Sequence, residues 1–178
     1  MSKKILVIST SLRKTSDSDT LAEQFVKGAI EAGHEVEKIR LLGKDIKFCQ
    51  GCLGCLKTNR CVIHDDADVI VQKMKDADVL VFATPIYYYE MSGQMKTLLD
   101  RANPLYSSNY KFRSVYLIAT AAEDSDEACQ RAVSGLEGWV ECFPKANLDG
   151  VVFGGGTDQL NITQNHAMEK AFNTGKNI

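Results

Sequence analysis

Four cysteines fall within 13 consecutive residues, Cys49, Cys52, Cys55 and Cys61, in the spacing C-x2-C-x2-C-x5-C. Thiolates are soft ligands, and sites built from four of them suit Zn²⁺ or an iron–sulfur cluster. Gly51 and Gly54 lie between them and free the backbone to wrap around one centre. The same Cys-x-x-Cys pairs also suit reactive thiols or a redox disulfide. Val62 stands after Cys61, where the bacterial ferredoxin spacing ends in Cys-Pro. An iron–sulfur cluster, a zinc ion and free thiols are therefore all open at this point. Cys129 and Cys142 lie in an amphipathic helical pattern and are expected to be small buried hydrophobes.

Two further segments carry chemistry. Ser9–Thr20 (STSLRKTSDSDT) holds seven hydroxyl residues in 12 positions. It has neither the G-x-x-x-x-G-K-[ST] pattern nor G-x-G-x-x-G. Hydroxyls and backbone N–H groups at a helix N-terminus suit a monoester phosphate dianion, with Arg13 as a supplement. The plain alternative is a polar surface loop with Ser and Thr caps. In Thr84–Lys96 (TPIYYYEMSGQMK), Tyr87, Tyr88 and Tyr89 stand together beside Pro85. Three phenols in a row are hard to bury, so they are expected on a loop, where a flat aromatic cofactor could stack. An oligomer interface would use them as well. His34, His64 and His166 are scattered without H-E-x-x-H spacing, His64-Asp65 reads as a helix start, and no G-x-S-x-G elbow is present.

These segments need a scaffold. With 178 residues, 44% hydrophobic and 25% charged, the chain reads as one ordinary globular domain over residues 1–178, with a cysteine-rich loop at 49–61. Lys+Arg 21 against Asp+Glu 23 leaves net −2 and no basic block for nucleic acid or an anionic membrane. Apolar runs such as Ile5–Ile8 and Val79–Ala83 are far short of the roughly 20 residues of a membrane span. The N-terminal apolar stretch is too short for a signal peptide, so a cytoplasmic location is expected. Apolar runs predict strands over Lys3–Ser9, Glu35–Leu42, Asp78–Thr84, Ser114–Thr120 and Ala146–Phe153. Helical spacing predicts one helix started by Ser16 or Thr20 and closed at Gly33. Others are predicted over Asp66–Ala77, Ser92–Ala102, Asp126–Phe143 and Thr163–Asn173. Gly154-Gly155-Gly156 reads as a flexible exit or a surface for a partner subunit. The alternation implies an α/β, doubly wound, five-stranded parallel sheet with helices on both faces. Ligands in such sheets bind beyond the carboxyl ends of the strands, so function should sit just after Ser9, Thr84 and Thr120.

The pairing of S-T-S-L-R-K-x-S-x-S-x-T with T-P-I-Y-x-x-x-M-S-G-Q-M-K-x-x-L-D-R (Thr84–Arg101) resembles the NADPH-dependent FMN reductase branch of the flavodoxin-like superfamily. The likeness covers essentially the whole chain and is specific at those two loops. It implies strand order 2-1-3-4-5, bound FMN and NAD(P)H as co-substrate. Ser9, Ser11, Leu12, Arg13, Ser16, Asp17 and Ser18 would surround the phosphate. Pro85, Ile86, Tyr87, Tyr88, Tyr89, Thr120 and Ala121 would line the isoalloxazine and ribityl chain. Relatives commonly carry glycines after the fourth strand, whereas this chain reads Ala121-Ala122-Glu123-Asp124. Both acids would disfavour an anionic reduced flavin if they faced it. The cysteine spacing resembles the compact motif of the iron–sulfur flavoproteins, which implies Cys49, Cys52, Cys55 and Cys61 as ligands of a [4Fe–4S] cluster. The resemblance implies an oxidoreductase passing reducing equivalents from NAD(P)H to a quinone, free flavin or similar small acceptor. Its alternative is an electron adaptor fed by ferredoxin. A homodimer or homotetramer is implied as well, and no catalytic side chain is singled out.

Overall fold

The computed structural model describes residues 1–178. Five parallel strands form its sheet: β1 (Lys4–Ser9), β2 (Glu35–Arg40), β3 (Val79–Tyr87), β5 (Ser114–Thr120) and β6 (Asn147–Gly154). They lie in the order β2-β1-β3-β5-β6, while β4 (Glu90–Met91) pairs antiparallel with the end of β3. Counting the long strands alone, this is the 2-1-3-4-5 order that the sequence implies. Successive residues of β1 point to opposite faces. Ile5 and Val7 pack with Leu21 and Phe25 of α1 (Asp17–Glu31) and Ala171 of α6 (Ala167–Lys176). Leu6 and Ile8 pack with Ile70 of α3 (Asp66–Asp76), Leu98 of α4 (Gly93–Arg101) and Leu136 of α5 (Gln130–Val140). A central strand covered on both sides has no polar face, which is why its sequence is a continuous apolar run.

Helix ends follow local chemistry. Ser16, not Thr20, caps α1, its Oγ accepting from the Asp19 N–H. Gly33, just past the end, takes φ +87°, where a Cβ would be strained. Asp65 caps α3 and Ser92 caps α4. Four expectations change. The Asp126–Phe143 segment divides into a 3₁₀ turn at Asp126–Cys129 and α5, and the closing helix begins at Ala167 after a 3₁₀ turn at Ile162–Gln164. Gly154, Gly155 and Gly156 are buried rather than a loose exit, because a Cβ on Gly155 would meet Asp124 Oδ1 and the Glu123 carbonyl at 2.8 Å. Cys129 is buried as expected, but Cys142 is exposed, since it lies in the turn beyond the end of α5.

Two contacts fix the position of the sheet's carboxyl edge. The first is a crossing of α1 and α6 at glycines. A Cβ on Gly28 would lie 2.0 Å from the Phe172 carbonyl oxygen, and one on Gly175 would lie 2.1 Å from that of Phe25. The second is a chain of hydroxyls with no exposed surface. Thr10 Oγ1 lies 3.1 Å from the Ala83 carbonyl and 3.0 Å from Ser92 Oγ, and Thr84 Oγ1 lies 3.1 Å from Ser92 Oγ. Each hydroxyl has one proton. One arrangement that satisfies all three runs Thr84 to Ser92 to Thr10 to the Ala83 carbonyl, and Thr84 Oγ1 also reaches the Pro85 carbonyl at 3.0 Å. The Ser92 N–H donates back to Thr84 Oγ1, and the Met95 N–H donates to Ser92 Oγ. The turn after β1 is thereby tied to the turn after β3.

Gly28→Ala is expected to lower the unfolding free energy by at least about 2 kcal/mol in urea titration, since the new methyl must push two backbones apart. Ser92→Ala removes the middle of the hydroxyl chain and the α4 cap. It is expected to cost about 1–2 kcal/mol with an unchanged denaturant slope.

Candidate functional site

The strand register brings three turns to one edge. Ser9 pairs with Ala83 and Arg40, and Pro85 pairs with Thr120, which in turn pairs with Gly154. Ser9 follows Ile5 and Val7 on the α1 face of the sheet, and its Oγ is buried without a hydrogen-bond partner. Native proteins rarely leave such a group unmet. Beyond it, Thr10 and Ser11 are buried while Leu12, Arg13, Lys14 and Thr15 are exposed. Ser16 and Ser18 are buried with their hydroxyls 3.1 Å apart, and Asp17 is partly buried in the first turn of α1. An open cleft of about 680 Å³ runs past Arg13, Ser16 and Asp17 and is closed on its far side by Asn161, Ile162 and Thr163.

Arg40, at the end of β2, holds this turn from behind. Its Nη2 donates to the carbonyls of Arg13 at 2.7 Å and Lys14 at 3.2 Å. Tying those carbonyls to Arg40 leaves two fewer free acceptors in the turn. Neither Arg40 nor Asn161–Thr163 has a local signal in the sequence, because what they touch lies far along the chain. A basic residue at the end of the neighbouring strand is the only cue.

The tyrosines form the tip of a two-residue hairpin, with Ile86 opposite Met91 and Tyr87 opposite Glu90. Tyr88 and Tyr89 have φ +52° and +65°. That geometry usually takes Asn-Gly, and an L side chain in it is strained by about 1–2 kcal/mol. Tyr88 is 96% exposed, so no packing compensates its strain, while Tyr87 and Tyr89 are half-exposed. Pro85 and Ile86 are partly buried beneath them, and Thr120 and Ala121 are buried at the end of β5. The two acids after β5 are engaged elsewhere. Asp124 packs on Gly155, and the Glu123 carboxylate beside the Tyr89 phenol pushes that phenol up from its ordinary value.

The cysteine loop lies between β2 and α3, apart from one short turn, α2 (Cys55–Thr58). Cys49, Cys52, Cys55 and Cys61 line one small, partly open cavity of about 30 Å³ together with Asp100, Arg101 and Asn103, with Cys55 buried and Cys49 and Cys52 exposed. Gly51 at φ +65° and Leu53 at φ +56° curl the chain around it. Gly54 is needed for space instead, since a Cβ there would sit 3.2 Å from Val62. No three of the sulfurs converge on a single-ion coordination sphere. N–H donors already face three of them. Asn103 Nδ2 donates to Cys55 Sγ at 3.0 Å, Gly51 N to Cys49 Sγ at 3.4 Å and Ile63 N to Cys61 Sγ at 3.5 Å. Leu12 of the first turn and Phe48, next to Cys49, share a groove of about 470 Å³. The cysteine loop and the hydroxyl turn are thus neighbours.

Beneath the cavity, Arg101 and Asp65 form a buried ion pair, 0% and 1% exposed. Burial would raise the Asp65 carboxyl. The Arg101 guanidinium and the N–H groups of Lys47 and Ala67 outweigh it and hold the group below the usual carboxylate range. Burial would likewise lower the Arg101 guanidinium, which Asp65 and the Cys61 sulfur beside it hold above its ordinary value.

Residues 3–148 match the model of the NADPH-dependent FMN reductase family. An iron–sulfur flavoprotein of Methanocaldococcus jannaschii is 37% identical over 102 residues, 57% of this chain and 53% of that one. The chain spans about half the length of the first curated relatives it matches (53%, 46% and 54%), all of them iron–sulfur flavoproteins. A Bacillus subtilis protein, provisionally named an NAD(P)H-dependent FMN-containing oxidoreductase, is 27% identical over 173 residues, 92% of this chain and 91% of its own. The solved NAD(P)H:quinone oxidoreductase from Methanothermobacter marburgensis superposes with TM-score 0.77 at 16% identity, covering 99% of this chain and 96% of that one, which establishes a shared fold. No helix is long and apolar enough to cross a membrane. With the family model matched over most of its length, on the sheet order and strand-end turns described above, the chain belongs to the NADPH-dependent FMN reductase family.

Proposed function

We propose that this protein is an FMN-dependent oxidoreductase that passes reducing equivalents from NAD(P)H to a small acceptor such as a quinone or free flavin. One observation carries the reading. The buried, unpartnered Ser9 hydroxyl, the capped N-terminus of α1 and the strained tyrosine hairpin occupy one sheet edge and are tied together by the Thr84–Ser92–Thr10 chain. The donor set fits a phosphate dianion. Ser9, Ser11, Ser16 and Ser18 offer hydroxyls, Leu12 and Asp17 offer backbone N–H, and Arg13 brings charge from the exposed rim. Asp17 would contribute its backbone N–H alone, since a side-chain anion would repel the phosphate. Pro85, Ile86, Tyr87, Tyr88, Tyr89, Thr120 and Ala121 fit the flat ring and its polyol chain.

When bound, FMN supplies the hydride chemistry, and the protein supplies orientation and electrostatics. The tyrosine hairpin would cover the ring and limit water there, and the turn after β5 would supply backbone groups to hold it. The Glu123 carboxylate lies beside the Tyr89 phenol, and Asp124 packs on Gly155. No acid or base side chain is needed at the reacting atoms.

A second reading has its own observation. All four clustered cysteines line one cavity beside the hydroxyl turn. Their softness and the N–H donors facing the sulfurs support a [4Fe–4S] cluster held by Cys49, Cys52, Cys55 and Cys61. The names of the iron–sulfur flavoproteins favour the same assignment. The protein then adapts one-electron traffic, from a donor such as ferredoxin, to two-electron flavin chemistry. A homodimer or homotetramer and a cytoplasmic setting fit both readings.

Titrating the purified protein with FMN is expected to quench the coenzyme's fluorescence, and the complex is expected to oxidise NAD(P)H faster when a quinone is added. Emission that stays unchanged would overturn the first reading. Arg13→Ala, at an exposed position, is expected to weaken FMN binding by about tenfold or more, the worth of one charge-assisted hydrogen bond. Replacing the hairpin tip by Tyr88→Asn with Tyr89→Gly relieves strain of about 1 kcal/mol per residue and should raise Tm by about 2–4 °C for each kcal/mol. The same change is expected to weaken FMN binding. Higher stability with unaltered affinity would remove the tyrosines from the cofactor site.

A further inference from the structure

Arg101 ends α4 and is 1% exposed. A guanidinium carries five N–H donors, and four can be assigned. Nη1 donates to the Lys47 carbonyl at 2.7 Å and to Asp65 Oδ2 at 2.6 Å. Nη2 donates to the Ile63 carbonyl at 2.9 Å and to Asp65 Oδ1 at 2.8 Å. Lys47 and Ile63 are the two stems of the cysteine loop, so one side chain clamps both. The fifth donor, Nε–H, is buried and has no acceptor. Such a group costs about 1–3 kcal/mol if left unmet, and more when charged.

Its surroundings say what is missing. Arg101 lines the same cavity as the four cysteines, with the Cys61 sulfur beside its guanidinium. Asp65 holds the Nη1–Nη2 edge, which is the edge opposite Nε in a planar fork. The ion pair therefore presents the positive end of its dipole on the Nε side, away from the carboxylate. The N–H groups of Asn103, Gly51 and Ile63 on Cys55, Cys49 and Cys61 add donors of the same sense.

We propose that Arg101 is the positioning and charge-compensating residue of the cysteine cavity, with its Nε–H directed at a sulfur of a cysteine-ligated [4Fe–4S] cluster. This rests on the reading that the four cysteines hold such a cluster. Four thiolates give the centre net negative charge, and reduction adds one electron without a proton. A donor with positive charge in a low-dielectric wall favours the reduced form and so raises the reduction potential.

The test uses the full chain, reconstituted anaerobically with ferrous iron and sulfide and titrated with dithionite under EPR. Arg101→Gln combined with Asp65→Asn removes the dipole without leaving an unpaired buried carboxylate. Reduction of the cluster in this variant is expected to be about tenfold less favourable, equal to about 59 mV for one electron. In wild-type protein labelled with ¹⁵N-arginine, a hyperfine coupling from nitrogen to the reduced cluster is expected, and this readout needs no variant to fold. A wild-type chain that takes up iron and sulfide, but shows neither that coupling nor a shifted potential in the variant, overturns the role of Arg101 alone. A wild-type chain that takes up no sulfide, or only zinc, overturns the cluster reading and this inference with it.

Discussion

The site depends on three hydroxyls that never meet water. Thr10 lies 82 positions from Ser92, yet Thr10, Ser92 and Thr84 form one hydrogen-bonded chain that ends at the Ala83 carbonyl. In water each would bond to solvent and impose no geometry. Buried, they are satisfied only by one another and by the Ala83 and Pro85 carbonyls, because an unmet donor costs more than any single bond gains. That constraint fixes the distance between the turn that would hold a phosphate and the hairpin that would cover a ring. Neither turn is regular structure, so a parallel sheet alone would leave both free to drift.

A second constraint of the same kind governs the cysteine loop. A stretch from Lys44 to His64 with only one helical turn has little packing of its own, and several of its apolar residues, Phe48, Leu53 and Val62, are exposed. What holds it is the buried Arg101–Asp65 pair, which gathers the Lys47 and Ile63 carbonyls onto one guanidinium. A buried ion pair is a poor source of net stability, since desolvation offsets its attraction. It is a good source of specificity, because a fork with fixed directions accepts few loop conformations. Asp65 serves twice, also capping α3 through the Ala67 N–H.

The scaffold was legible in the sequence for a physical reason. Strands buried on both faces must be apolar throughout, and β1, β3 and β5 read as such runs. Caps at Ser16, Asp65 and Ser92 stand just before periodic apolar positions, and the family resemblance lay in the two turns that the sheet brings together. The hairpin at Tyr88-Tyr89 was not legible as a hairpin, because two tyrosines contradict the preference of that turn. Local rules fail where a site demands strain. Arg40, Arg101, Asn103 and the Thr10–Ser92 contact were also silent, since their partners lie 26 to 82 positions away and periodicity carries no such information. Cys142 misled for the opposite reason, its helical pattern continuing past the point where α5 stops.

The glycine crossing of α1 and α6 has a mechanical consequence. Contacts between side chains can slide and exchange rotamers, giving a joint a range of settings. Backbone against backbone at Gly28 and Gly175 offers no such play. The helix whose N-terminus faces the cleft is seated like a bearing in a rigid housing. An anion arriving there would meet a preformed socket, and little of its binding free energy would be spent on shaping the protein around it.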